Sequence, residues 1–96
     1  MKLKVVKKTE KQLELEVEGE DHSLCNAIRK SLLEDKHVTY ASYRIEHPLI
    51  SHPVIIVRTD GKESPEDALK EGVKRVGEMA SEFRQVFSKA AGKEAK

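Results

Sequence analysis

Apolar and charged residues alternate with a period of two in two short stretches near the N-terminus. Between Lys2 and Lys8, Leu3 and Val5 share one face and Lys2 and Lys4 the other; between Gln12 and Glu18, Leu13, Leu15 and Val17 face away from Glu14, Glu16 and Glu18. This pattern predicts two half-buried strands joined by a short loop at Thr9, Glu10 and Lys11. A register in which paired positions sum to 20 is self-consistent. It sets Leu3 against Val17 and Val5 against Leu15 on the inner face, and Lys2 against Glu18 and Lys4 against Glu16 on the outer one. The period then changes: Leu24, Ala27, Ile28 and Leu32 share one side of a helix, with Ser23 as its expected cap and an end near Asp35. Two further strands follow. Val38 to Ile45 is rich in β-formers, Val54 to Thr59 is β-branched almost throughout, and His47-Pro48 and His52-Pro53 punctuate the connection. Asp60-Gly61 is the next turn.

The last pattern is the longest. Ser64 is placed to cap a helix, Pro65 suits its first position, and Glu66 and Asp67 suit the positive end of its dipole. From there Leu69, Val73, Val76, Ala80, Phe83 and Phe87 recur at spacings of three and four and line one stripe, with no stop signal before Gly92. A continuous helix of about 25 residues is roughly 37 Å long, against roughly 23 Å for strands of about seven residues, so roughly the last nine would overhang the sheet. On this reading Phe83 and Phe87, with Val86 beside them, form an exposed patch that calls for a partner. The order ββαββα predicts an α+β fold: a four-stranded antiparallel sheet with two helices on one face. Residues 1–90 are expected to form a single domain and residues 91–96 a flexible tail.

Composition narrows the function. Ninety-six residues give one modest core with no Trp, two Tyr and two Phe, so much of it is aliphatic. Eighteen Lys plus Arg against 17 Asp plus Glu leave a formal net charge of +1, with no field that selects a polyanion. The one cysteine allows no internal disulfide, and Met1-Lys2-Leu3-Lys4 lacks the apolar run of a signal peptide. Val54 to Val57 is far too short to cross a bilayer, which makes a soluble cytoplasmic chain the expectation. Cys25 and His22 could form a nucleophile pair, but no cationic cluster or Gly-rich turn accompanies them, and a small buried hydrophobe is the simpler reading. His47 and His52 have zinc-like spacing without a second ligand pair, so no metal or cofactor is expected. The rival class is a free-standing RNA- or DNA-binding domain, with the N-terminal lysines as its basic patch and Tyr40 and Tyr43 as its platform. Against it, the two tyrosines differ by three along a strand and point to opposite faces, and the lysines face glutamates. A self-sufficient homodimer is a third possibility.

Three segments carry a more specific signal. Gly19-Glu20-Asp21-His22-Ser23-Leu24-Cys25-Asn26-Ala27-Ile28-Arg29-Lys30-Ser31-Leu32-Leu33 resembles the first-helix signature of the small α-like subunits of cellular RNA polymerases. Tyr40-Ala41-Ser42-Tyr43-Arg44-Ile45-Glu46-His47-Pro48-Leu49 resembles that family's segment between the central strands, and Ser64-Pro65-Glu66-Asp67-Ala68-Leu69 the start of its long helix. The likeness runs from Met1 to about Phe87, and the lack of long extensions makes the chain most similar to the archaeal branch of the family. It implies the dimerisation fold of the polymerase α-subunit and a noncatalytic assembly role, pairing with a larger α-like subunit, called D in archaea. It also implies that this pair is a platform for the large catalytic subunits, with no nucleic acid held directly. By the same resemblance, Leu24, Ala27, Ile28 and Leu32 of the first helix and Val73, Val76, Ala80, Phe83 and Phe87 of the second form the shared interface. His22 and Arg29 are the candidate contacts to a large subunit. The position of Cys25 is often glycine in the family. Phe83→Asp is then expected to abolish pairing and spare the sheet.

Overall fold

The period-two stretches form strands with the predicted ends. In the computed structural model of the chain, which describes residues 2–19, 22–45 and 52–94, β1 (Lys2–Lys8) and β2 (Gln12–Glu18) make an antiparallel hairpin. Its loop is tied by Thr9, whose Oγ1 accepts from the Gln12 amide at 3.1 Å while its own amide donates to the Gln12 carbonyl at 2.8 Å. The sum-to-20 register holds from Lys2↔Glu18 to Val5↔Leu15 and then slips, so that Lys7 faces Glu14 and Lys8 faces Leu13. Val6 is the extra residue of this irregularity and is 51% exposed, as expected where an inserted residue loses its pairing partner. Lys4 and Glu16 face each other on the solvent side. Lys4→Glu is expected to change the unfolding free energy by less than about 1 kcal/mol, read from urea midpoints, because exposed charge pairs contribute little.

Strands β3 (Val38–Arg44) and β4 (Val54–Thr59) complete a sheet of order β1-β2-β4-β3, antiparallel at every step. Tyr40 and Tyr43 do fall on opposite faces: Tyr40 is exposed, and Tyr43 packs on the core beside Ala41. The inner face of the sheet carries Leu13, Leu15, Val17, Ile55 and Val57, all at or below 1% exposure. Each such aliphatic group contributes about 1.5–3 kcal/mol on leaving water, so this row is one half of the core, the helices supplying the other.

Helix α1 (His22–Leu32) lies over β3 and β4. It buries Leu24, Ile28, Leu32 and also Cys25, in agreement with the expected apolar face. Ser23 is inside the helix rather than capping it, because His22 is already helical. Ser64 is the cap predicted for α2 (Pro65–Val76): its Oγ accepts from the Asp67 amide at 3.1 Å, with Pro65 in the first turn.

The continuous C-terminal helix is where the structure departs from the expectation. Helix α2 ends at Val76, a four-residue 3-10 turn follows (Gly77–Ala80), and α3 (Ser81–Glu94) sets off in a new direction to pack against α2 and β1. Gly77 makes the break. Its φ of 86° and ψ of −145° lie in a region open essentially to glycine alone. The helical layer therefore tiles the whole sheet, with α1 over β3, α2 over β4 and β2, and α3 over β1. No overhang remains, and Phe83 and Phe87 are 0% and 2% exposed. At the far end, α3 runs through Gly92 to Glu94, into the tail expected to be flexible; Ala90, Ala91 and Lys93 are good helix formers.

Candidate interaction surface on the helical layer

The close approach of α1 and α2 is set by Gly72, which is buried against Leu32. A Cβ there would lie 3.1 Å from Leu32 Cδ2 and 3.3 Å from its Cγ, so the glycine lets the two helices meet. Polar links brace the contact. The buried Ser31 hydroxyl donates to the Gly72 carbonyl at 2.7 Å, Arg75 Nη2 donates to the Ser31 carbonyl at 2.7 Å, and Arg75 Nε stands 3.8 Å from the Glu34 carboxylate. On the outer side of this seam runs a shallow groove of about 450 Å³, lined by Ala27, Lys30, Ser31, Arg75, Val76 and Met79 among others. Met79 is 55% exposed, and Leu33 at the end of α1 is 52% exposed.

Of the interface residues expected from the sequence, Ala27 and Val76 line this groove and are half-buried. Leu24, Ile28, Leu32, Val73, Ala80, Phe83 and Phe87 are buried in the core of this chain. The expectation that Phe83 and Phe87 are exposed is thus overturned, since the turn at Gly77 carries them back over β1. The two rings lie with centroids 6.3 Å apart, tilted by 30°. Arg29 holds Asn26 Oδ1 through Nε at 3.2 Å and Nη2 at 2.7 Å, within one turn of α1. The side chain of His22 lies outside the described residues, as do Glu46 to Ser51 with His47. Leu33 and Met79 were missed because they sit off the periodic stripe.

On the outer face of the sheet Tyr40 is exposed and belongs to a polar network. The Arg58 guanidinium stacks on the Tyr40 ring, its centre 5.0 Å from the ring centroid. Arg58 Nε donates to Gln12 Oε1 at 3.1 Å, Gln12 Nε2 donates to Glu14 at 2.7 Å, and Arg44 donates to Glu14 at 3.2 Å, so one network crosses three strands. Within it Glu14 is paired with Arg44, and Arg58 is held by the neutral Gln12 and the Tyr40 ring. Among the described residues no group of three or more His, Cys, Asp or Glu could hold a metal ion, and no helix is long and apolar enough to cross a membrane.

A separate acidic pair ties the loop after α1 to the turn before α2. A hydrogen bond donated to Asp35, with burial next, pushes the Glu63 carboxyl up to about 7, and that same bond leads the causes that lower Asp35. Glu63 Oε1 is buried with no hydrogen-bond partner, which adds to the cost of ionising this carboxyl. The folded chain therefore holds a proton on Glu63 more tightly than the unfolded chain, and stability falls as pH rises from the ordinary 4.5 toward about 7. Asp35 acts in the opposite sense at lower pH: its contribution is lost as pH falls below its ordinary 3.8. Glu63→Gln keeps a donor for Asp35 and removes the titration. Urea midpoints at pH about 5 and about 7.5 are expected to differ less in this variant than in the parent, a comparison that cancels the histidines common to both. Equal slopes for the two chains would remove Glu63 as the source.

Against known proteins this architecture has clear counterparts. Residues 12–86 match the RNA polymerase Rpb3/Rpb11 dimerisation domain, and the chain belongs to that family. Among curated relatives, it is 43% identical over 91 residues to the DNA-directed RNA polymerase subunit Rpo11 of Methanocella arvoryzae, with 95% of this chain and 98% of that one covered. Identity to the subunit of the same name from Pyrococcus furiosus is 42% over 92 residues, covering 94% and 97%. The fold is similar to the crystal structure of DNA-directed RNA polymerase subunit L from Thermoplasma acidophilum, at a TM-score of 0.71 and 27% identity over 95% of this chain and 89% of that one. The sheet with its helical layer is thus the α+β dimerisation fold expected from the three sequence segments.

Proposed function

We propose that this chain is a noncatalytic assembly subunit of an archaeal DNA-directed RNA polymerase. It pairs through its helical layer with the larger α-like subunit, called D in archaea, and the pair forms a platform for the large catalytic subunits in the cytoplasm. The observation that carries this reading is the family match over residues 12–86, which takes in α1, α2 and the start of α3, together with near full-length relatives that are polymerase subunits. The chemistry of the surface agrees with association rather than catalysis. Ala27, Val76 and Met79 give an apolar strip beside the α1–α2 seam, while the sheet's outer face carries the hydrogen-bonded network of Gln12, Glu14, Arg44 and Arg58. Leu24, Ile28, Leu32, Val73, Ala80, Phe83 and Phe87 join the interface in this proposal, with Arg29 and His22 toward a large subunit.

Coexpression with the larger α-like subunit, followed by size-exclusion chromatography, tests the pairing. One peak containing both chains supports it, and separate elution at micromolar concentration overturns it. Salt-dependent binding of the lone chain to a labelled oligonucleotide would instead favour the nucleic-acid reading.

A further inference from the structure

The apolar stripe of the C-terminal segment and the path of its backbone disagree. Leu69, Val73 and Val76 on α2 are followed by Ala80, Phe83 and Phe87 at unbroken helical spacing, as though one face were meant to continue, yet the helix turns between the two groups. The residues around the turn are already helical. Val76 has φ and ψ of −68° and −28°, Ser81 has −58° and −48°, and within the 3-10 segment from Gly77 to Ala80 Gly77 alone has a positive φ. Rotation about that one residue separates the bent form from a single straight helix.

We infer that Gly77 is a hinge and α3 a self-docking arm: in the lone chain α3 covers β1, and on pairing it swings out so that α2, the 3-10 turn and α3 become one helix. This rests on the pairing proposed above. The occupant of the uncovered face is the helical layer of the larger α-like subunit. The site released is apolar on both sides of the gap. Phe83, Phe87 and Ala80 leave the core together, and the faces of β1 and α2 against which α3 packs, with Leu3 and Val5 on β1, lose their cover. The docked arm is an incomplete lid, since Leu3 and Val5 beneath it remain only half-buried. Next to the hinge, Met79, Val76 and Ala27 already present apolar surface in the groove, where an incoming helix can make its first contact before the arm moves. A chain that hides its own binding stripe until a partner arrives avoids exposing two phenylalanines to water.

The backbone at Gly77 supplies the test. Its φ of 86° and ψ of −145° exclude an L side chain on conformational grounds, while nothing lies within 4 Å of the place a Cβ would take. Gly77→Ala therefore penalises the bent form without a clash and favours the straight one. Spin labels on Lys4→Cys and Lys89→Cys in a Cys25→Ser background report whether α3 lies on β1. In the parent chain the label distance is expected to be short alone and to lengthen by more than ~10 Å with the larger α-like subunit bound, since the 14-residue α3 is about 21 Å long. Gly77→Ala is expected to lengthen it in the lone chain, lower that chain's Tm, and tighten pairing about tenfold. Pairing with an unchanged short distance would overturn the hinge and leave the pairing intact, as would a Gly77→Ala chain weakened both alone and in the pair. Absence of pairing by the parent chain overturns the proposed function; the lone-chain distances of parent and Gly77→Ala then still decide the hinge. Should Gly77→Ala fail to fold alone, the parent's distances with and without the partner decide it.

Discussion

Phe83→Asp is expected to undo much of the lone chain, not only its association. Phe83 is the largest of the fully buried side chains, it stands beside Phe87, and it belongs to the core cluster that α3 closes over β1 and α2. Truncation alone, as in Phe83→Ala, typically costs about 3–5 kcal/mol through lost transfer energy and the cavity left behind. For a chain of this length that corresponds to a fall in Tm of about 15 °C or more. An unpaired carboxylate in the same place adds several kcal/mol of desolvation, against a total stability of about 5–15 kcal/mol for an ordinary domain. The expectation from sequence that the sheet would be spared fails for a structural reason: Phe83 fills the chain's own core. Calorimetry of both variants checks this. A fall of less than about 4 °C for Phe83→Ala would show that α3 contributes little to the lone fold.

The second large effect is expected at Gly72. A side chain there meets Leu32 at once, at 3.1 Å from Cδ2 and 3.7 Å from Cα, with the Leu32 backbone as a wall that cannot yield. Gly72→Leu forces α1 and α2 apart. Overpacking of this kind costs about 1–3 kcal/mol. Moving the helices also breaks the buried Ser31–Gly72 hydrogen bond, about 1 kcal/mol more, so Tm should fall by about 10 °C or more. Gly72→Ala is the control. The gain of about 1 kcal/mol in helix propensity opposes a contact that Leu32 must relieve by a few tenths of an ångström, and the net change should be small. Urea unfolding of the two variants separates the cases. If Leu and Ala cost the same, helix separation is not what Gly72 controls.

Much of this molecule was legible before any coordinates because the signals are local. The ends of β1, β2 and β4, the four-pair register from Lys2↔Glu18 to Val5↔Leu15, and the Ser64 cap with Pro65 behind it all follow from alternation and from orphan backbone groups. The family likeness was equally local, carried by three short segments, and the match over residues 12–86 agrees with it. The register slip at Val6 was not legible, since a single inserted residue leaves the alternation on both sides intact.

By itself the amino-acid sequence determined the sheet, its inner and outer faces, the apolar stripe from Leu69 to Phe87 and the family. It did so because side-chain direction repeats every two residues in a strand and every 3.6 in a helix. Where that stripe is spent was decided only by the tertiary structure. Periodicity is the same whether α3 continues straight or turns back over β1, and one glycine with its freedom at positive φ allows both paths. What selects the bent path in the lone chain is water: Phe83 and Phe87 are buried on β1 and α2 when α3 folds back, and exposed when it does not.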